Sequence, residues 1–96
     1  MVEGEKLLEK KLGDLLKAEG GWSIKLLAVH ISGIPDRLCL VPMGKIFFAE
    51  IKTTKKNPSK IQMVIHKRLR KMGFYVEVLD TSEQIKQTIK YHVERG

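Results

Sequence analysis

Ninety-six residues, 43% of them apolar, are expected to form one domain spanning 1–96, long enough for a core and below the length at which chains usually divide. A lone cysteine excludes an internal disulfide, no Cys/His cluster has zinc spacing, and no run approaches the ~20 apolar residues of a membrane span. The amino terminus is charged rather than leader-like and the formal charge is +7 at pH 7, so an intracellular protein with a polyanionic partner and no membrane partner is expected.

In chain order, residues from about Glu5 to Glu19 read as a helix: Leu8, Leu12, Leu15 and Leu16 share one face, and Gly20-Gly21 is the stop. Glu9 sits at the edge of that face and Glu5, one turn earlier, nearer its centre. Either could project towards the interior, or could pair with the lysines of its own helix. Ser23 to Val29 reads as a first strand carrying Lys25, and residues 30 to 35, with His30, as a turn.

The next two strands carry the most informative strings, Gly33-Ile34-Pro35-Asp36 and Glu50-Ile51-Lys52. Asp36 to Val41 and Lys45 to Lys52 are joined by Pro42-Met43-Gly44, a short loop with glycine available for a positive φ. With Val41 opposite Lys45, counting outward brings Asp36 opposite Glu50, on one face and roughly 5 Å apart. Lys52 projects from the same face, because side chains alternate along a strand. The bland reading is a solvated strand end with a salt bridge. However, Ile46, Phe47, Phe48, Ala49 and Ile51 make the second strand apolar on both faces, as in a central strand where stray charge is costly. A divalent metal accounts for the two carboxylates. Cys39, on the first hairpin strand, is expected to pack as a small hydrophobe.

Residues 51 to 76 then hold eight basic side chains and no acidic one: Lys52, Lys55, Lys56, Lys60, Lys67, Arg68, Arg70 and Lys71. Ordinary helix faces mix signs, so a phosphate backbone is the expected partner. Aromatic residues are not interleaved with these charges, which removes base stacking of the single-strand type. Thr53 to Pro58 reads as an exposed basic loop. Ser59 caps a second helix running to Met72, expected to bury Ile61, Ile65, Leu69 and Met72 and to end at Gly73. Gln62 reads as the partner of Ser59 in a capping box. His66, one turn on, shares its face.

Phe74 to Leu79 is a fourth strand. Thr81 and Gln84, at capping-box spacing, open a last helix that buries Ile85, Ile89 and Val93. His92 falls near its fraying end and, with His30, is read as structural or solvent-exposed. The order α-β-β-β-α-β-α, with a crossover into the fourth strand, gives an α/β fold: a mixed β-sheet flanked by helices, with the carboxylate hairpin central.

Helix, Pro-Asp hairpin, Glu-X-Lys and a helix beginning near Gln62, in that order, resemble the PD-(D/E)XK nuclease superfamily. More narrowly, Gly33-Ile34-Pro35-Asp36-Arg37-Leu38, Phe48-Ala49-Glu50-Ile51-Lys52 and Gln62-X-X-X-His66 with Gly73 resemble the VRR-Nuc family, over nearly the whole chain. The resemblance implies a restriction-endonuclease-like fold and a metal-dependent endonuclease. Mg2+ or Mn2+ would be held by Asp36, Glu50, the backbone carbonyl of Ile51 and a helix-borne glutamate, Glu9 by position, directly or through water. It implies Lys52 and Gln62 as further catalytic residues, Gln62 by touching the metal-bound water or the phosphate as the alternative to its capping role, no small-molecule cofactor, and Lys25 and His66 as phosphate contacts beside Lys55, Lys56, Lys60, Lys67, Arg68, Arg70 and Lys71. Free-standing copies of this length resemble the phage and prophage type, which implies a homodimer acting on four-way DNA junctions (Holliday-junction resolvase-like). The competing readings are a non-catalytic DNA- or RNA-binding module and a restriction-type nuclease acting on duplex DNA.

Overall fold

Leucine spacing and helix caps decide where the elements of this chain begin and end. The structure, a computed structural model, describes residues 4–27, 30–53 and 57–96. Its elements are α1 (Glu5–Ala18), β1 (Trp22–Lys25), β2 (Arg37–Val41), β3 (Lys45–Ile51), α2 (Lys60–Lys71), β4 (Val76–Leu79) and α3 (Ser82–Glu94). Among the described residues no helix is long and apolar enough to cross a membrane.

The four strands lie side by side in the order β1-β2-β3-β4. The first three pair antiparallel, while β4, arriving by the α2 crossover, pairs parallel to β3. Val41 faces Lys45 and Arg37 faces Ala49, so the expected register holds and the hairpin occupies the centre of the sheet. Its loop places both Met43 and Gly44 at φ 74°. β1 is shorter than expected, and residues 28 and 29 of the anticipated strand lie outside the described residues. β4 starts two residues later than expected; Phe74 instead meets Phe48 edge to face.

Leu8, Leu12 and Leu16 of α1 and Ile85 and Ile89 of α3 bury against Cys39, Val41, Phe47, Ala49 and Ile51. These odd-numbered strand residues form one face of the sheet, and burying each large side chain contributes about 1.5–3 kcal/mol. Cys39 packs as expected, and burial pushes its thiol up to about 12.

Two expectations need correction. The second helix does not bury Ile61 and Met72, which are 51% and 60% exposed, while Ile65 and Leu69 are half-buried and His66 is the buried residue of α2. The reason is polarity: α2 covers the end of the sheet from which Glu50 projects, so its inward face is built from Gln62 and His66. Of the two readings of His92 the structural one holds, although the residue is not at a frayed end. It is fully buried and stacked on Phe47 at 4.2 Å, with its Nε2 2.8 Å from Glu77 Oε2. Arg95 Nε donates to His92 Nδ1 at 2.7 Å, which leaves the Nε2 proton for Glu77. Arg95 also lies over the Tyr75 ring and donates to Ile46 O, and Lys45 Nζ donates to Val93 O and Arg95 O. The end of α3 is thereby fastened to the hairpin.

Candidate active site

The site forms at the end of the central hairpin opposite its loop. There β2 and β3 present their even-numbered residues, and α2 closes over them from the face opposite the leucine core. Continuing the observed register by one pair puts Asp36 beside Glu50. Asp36 Oδ2 accepts a hydrogen bond from the backbone N–H of Ile51 at 3.1 Å, which ties the end of β2 to the residue between Glu50 and Lys52.

Glu50 is 1% exposed. Burial, and then the Asp36 carboxyl beside it, raise its pKa well above the usual carboxylate range, against a smaller opposing pull from Lys52. Its Oε2 accepts from Gln62 Nε2 at 3.1 Å and lies 3.7 Å from Lys52 Nζ. Among the described residues its Oε1 has no hydrogen-bond partner, and it stands 3.7 Å from His66 Nε2, which is also buried and likewise without a partner there. Buried polar atoms are rarely left so. Among the described residues four such side-chain atoms occur, and two of them face each other here. Burial, then the charges of Arg70 and Lys52, hold His66 below the ordinary histidine range, so the contact with Glu50 involves a neutral ring and is not an ion pair.

Gln62 caps the helix as expected and also bonds Glu50 itself. Its backbone N–H donates to Ser59 Oγ and its Oε1 accepts from Ser59 N at 2.8 Å, completing the capping box, while its Nε2 reaches Glu50. An amide has an acceptor end and a donor end, and each is used once. At α3 the corresponding box is shifted: Thr81 Oγ1 accepts from Gln84 N, but Gln84 Oε1 takes the N–H of Asp80.

Asp36, Glu50, Ile51, Lys52, Gln62 and His66 therefore come together. Glu9 does not join them by direct contact: its Oε1 accepts from Arg37 Nε at 3.2 Å, and Arg37 projects from the α1 face. Sequence reading missed Arg37, although its place next to Asp36 on an alternating strand was a usable signal. Glu5 is exposed, and Lys10, one of the lysines of this helix, pairs with Asp14. Lys25 is exposed on the edge strand opposite Arg37, on the face away from Glu50. Lys60, Lys67, Arg68 and Lys71 are exposed on α2, whereas Arg70 Nη2 donates to Val76 O and supports β4. Lys55 and Lys56 lie outside the described residues.

The comparisons agree on one neighbourhood. No family model matches the sequence. A protein named "Putative nuclease p44" from Acyrthosiphon pisum secondary endosymbiont phage 1 is 37% identical over 79 residues, covering 82% of this chain and 85% of the phage protein. A solved structure described as "VRR_NUC domain" superposes with a TM-score of 0.85 at 32% identity, covering 92% of this chain and 96% of that one.

Proposed function

The chain belongs to the VRR-Nuc family, and from that membership we propose that it is a metal-dependent endonuclease hydrolysing phosphodiester bonds in DNA, with branched DNA such as a four-way junction as its substrate. The observation that supports this reading most is Glu50, a buried carboxylate beside Asp36 and Lys52 with one oxygen that no donor among the described residues satisfies. Such a group opposes folding, and a divalent cation offsets the opposition.

The donors suit Mg2+ or Mn2+. Asp36, Glu50 and the carbonyl of Ile51 would hold the ion: oxygen donors are what hard cations favour, and magnesium commonly takes one or two protein carboxylates, keeping water and phosphate elsewhere. Among the described residues no group of three or more His, Cys, Asp or Glu is placed to hold an ion, so the set rests on two carboxylates and a carbonyl. When bound, the cation supplies a nucleophilic water near neutral pH, charge neutralisation on the phosphoryl oxygens and assistance to the departing 3′ oxygen.

The remaining work falls to side chains. Lys52 donates from its ammonium to the attacking water and steadies the negative charge that develops on it. Gln62 keeps Glu50 turned towards Asp36. Glu9, bonded to Arg37 on the α1 face, is left outside the proposed ligand set. Lys60, Lys67, Arg68 and Lys71 carry the phosphate backbone along α2, and the homodimer and the preference for junctions are part of the proposal, supported by family resemblance alone.

The test is incubation of labelled four-way junction, duplex and single strands with Mg2+, Mn2+ or EDTA. Cleavage of the junction with either metal and none with EDTA is expected. Binding without cleavage under every metal would make the chain a non-catalytic DNA-binding module, and discrete cuts in plain duplex would favour the restriction-type reading.

A further inference from the structure

The loop before Asp36 runs against the first turn of α2. Gly33 has φ +85°, and a Cβ there would come within 2.8 Å of Ile61 O, 2.9 Å of Ile61 C and 3.1 Å of Gln62 N. All three are backbone atoms of the capped turn, which cannot swing aside as a flexible side chain can. Two residues on, Pro35 is fully buried with its φ fixed, and Asp36 follows. Ile31 and Ile34 of the same loop line a cavity with Ile65, Leu69 and Met72 of α2. One short strap therefore touches both halves of the site: it ends in Asp36 and rests on the peptide that carries Gln62.

We propose that Gly33 is a positioning residue that sets the separation between α2 and the hairpin, so that the Gln62 amide reaches Glu50. A side chain at position 33 pushes the Ile61-Gln62 peptide outward. The rigid Pro35-Asp36 step cannot absorb the push, and the 3.1 Å hydrogen bond between Gln62 Nε2 and Glu50 Oε2 opens. The activity arm of the test rests on the nuclease reading above; a spectroscopic arm does not.

The experiment compares Gly33→Ala, Ile34→Ala, Gln62→Ala, the doubles with Gln62→Ala, and Gly44→Ala as control. Gly44 has φ +74° with nothing within 4 Å of a Cβ, so its variant carries the backbone strain without the collision. Gly33→Ala is expected to lower kcat about tenfold, the loss of one hydrogen bond to a carboxylate, with DNA affinity within about twofold. In the Gln62→Ala background it should lower kcat no further, because the hydrogen bond it disrupts is already gone. Ile34→Ala loosens the same strap without backbone strain and carries the test if Gly33→Ala fails to fold. In NMR spectra the Gln62 side-chain amide should shift in Gly33→Ala and Ile34→Ala and stay in place in Gly44→Ala. Multiplicative loss in the doubles, or an unmoved Gln62 amide, overturns the proposal. A wild-type protein that cuts nothing refutes the nuclease reading and leaves the amide shift to decide this one.

Discussion

Gln62 holds Glu50 through the same side chain that caps α2: Nε2 donates to Glu50 Oε2 at 3.1 Å while Oε1 accepts from Ser59 N at 2.8 Å. Helix start and carboxylate orientation are one structural event. Substitutions on the two sides of this amide should therefore separate stability from chemistry.

Ser59→Ala removes the hydroxyl that accepts from Gln62 N but keeps the Ser59 N–H that holds Gln62 Oε1. It should cost about 1 kcal/mol of stability and leave cleavage within about twofold. Gln62→Ala should cost a similar amount of stability and also slow cleavage about tenfold. Denaturant melts beside single-turnover rates check both.

Stability should also depend on pH through Glu50. Its folded-state pKa is raised by burial and by Asp36, so the folded protein binds a proton more tightly than the unfolded chain. That contribution is complete below the ordinary carboxylate range and is lost as pH rises through the raised value. Metal-free protein should accordingly melt at lower temperature at about pH 8 than at about pH 5, and excess Mg2+ should restore the loss. Glu50→Gln should be more stable than wild type at neutral pH without metal and should lack this dependence; a wild-type slope retained in that variant would locate the titration elsewhere.

Asp36→Asn, Glu50→Gln and Lys52→Ala should each reduce cleavage by at least about 100-fold while DNA affinity stays within a few-fold of wild type. A gel-shift and a cleavage assay on the same preparations separate the two. Any of the three that turns over normally has no part in the mechanism.

Neutralising Lys67, Arg68 and Lys71 together should weaken DNA binding and flatten its salt dependence, the slope falling by about one for each phosphate that no longer meets a cation. Arg70→Ala should behave differently. Its guanidinium is bonded to Val76 O at 2.6 Å, so the substitution lowers the melting temperature as well.

His92→Ala should cost about 2–4 kcal/mol, since it opens a cavity against Phe47 and strands Glu77 and Arg95. Chemical denaturation measures it. DNA affinity should hold wherever the protein remains folded.

Much of this molecule was readable from the chain because the decisive signals were local. A short loop with Gly44 fixed the hairpin register, and that register carried Asp36 to Glu50 by counting alone. Ser59 and Thr81 marked helix starts through bonds to residues three positions on. What escaped depended on partners distant in the chain. Periodicity places Ile61 and Met72 on one side of α2, but a buried glutamate on the sheet decides that Gln62 and His66 turn inward instead. Glu9 looks like a helix-face acid until Arg37, 28 residues away, claims it. His92 near a chain end reads as frayed until Phe47, Glu77 and Arg95 surround it.

The hairpin bearing both carboxylates closes through three residues, whereas β4 joins only after the α2 crossover. Short-range contacts tend to form first. On that ordering Asp36 and Glu50 should meet before Gln62 and His66 arrive to enclose them, and bringing the two carboxylates together should then raise the folding barrier. A divalent cation present during refolding should make the protein fold faster, beyond any effect on how slowly it unfolds.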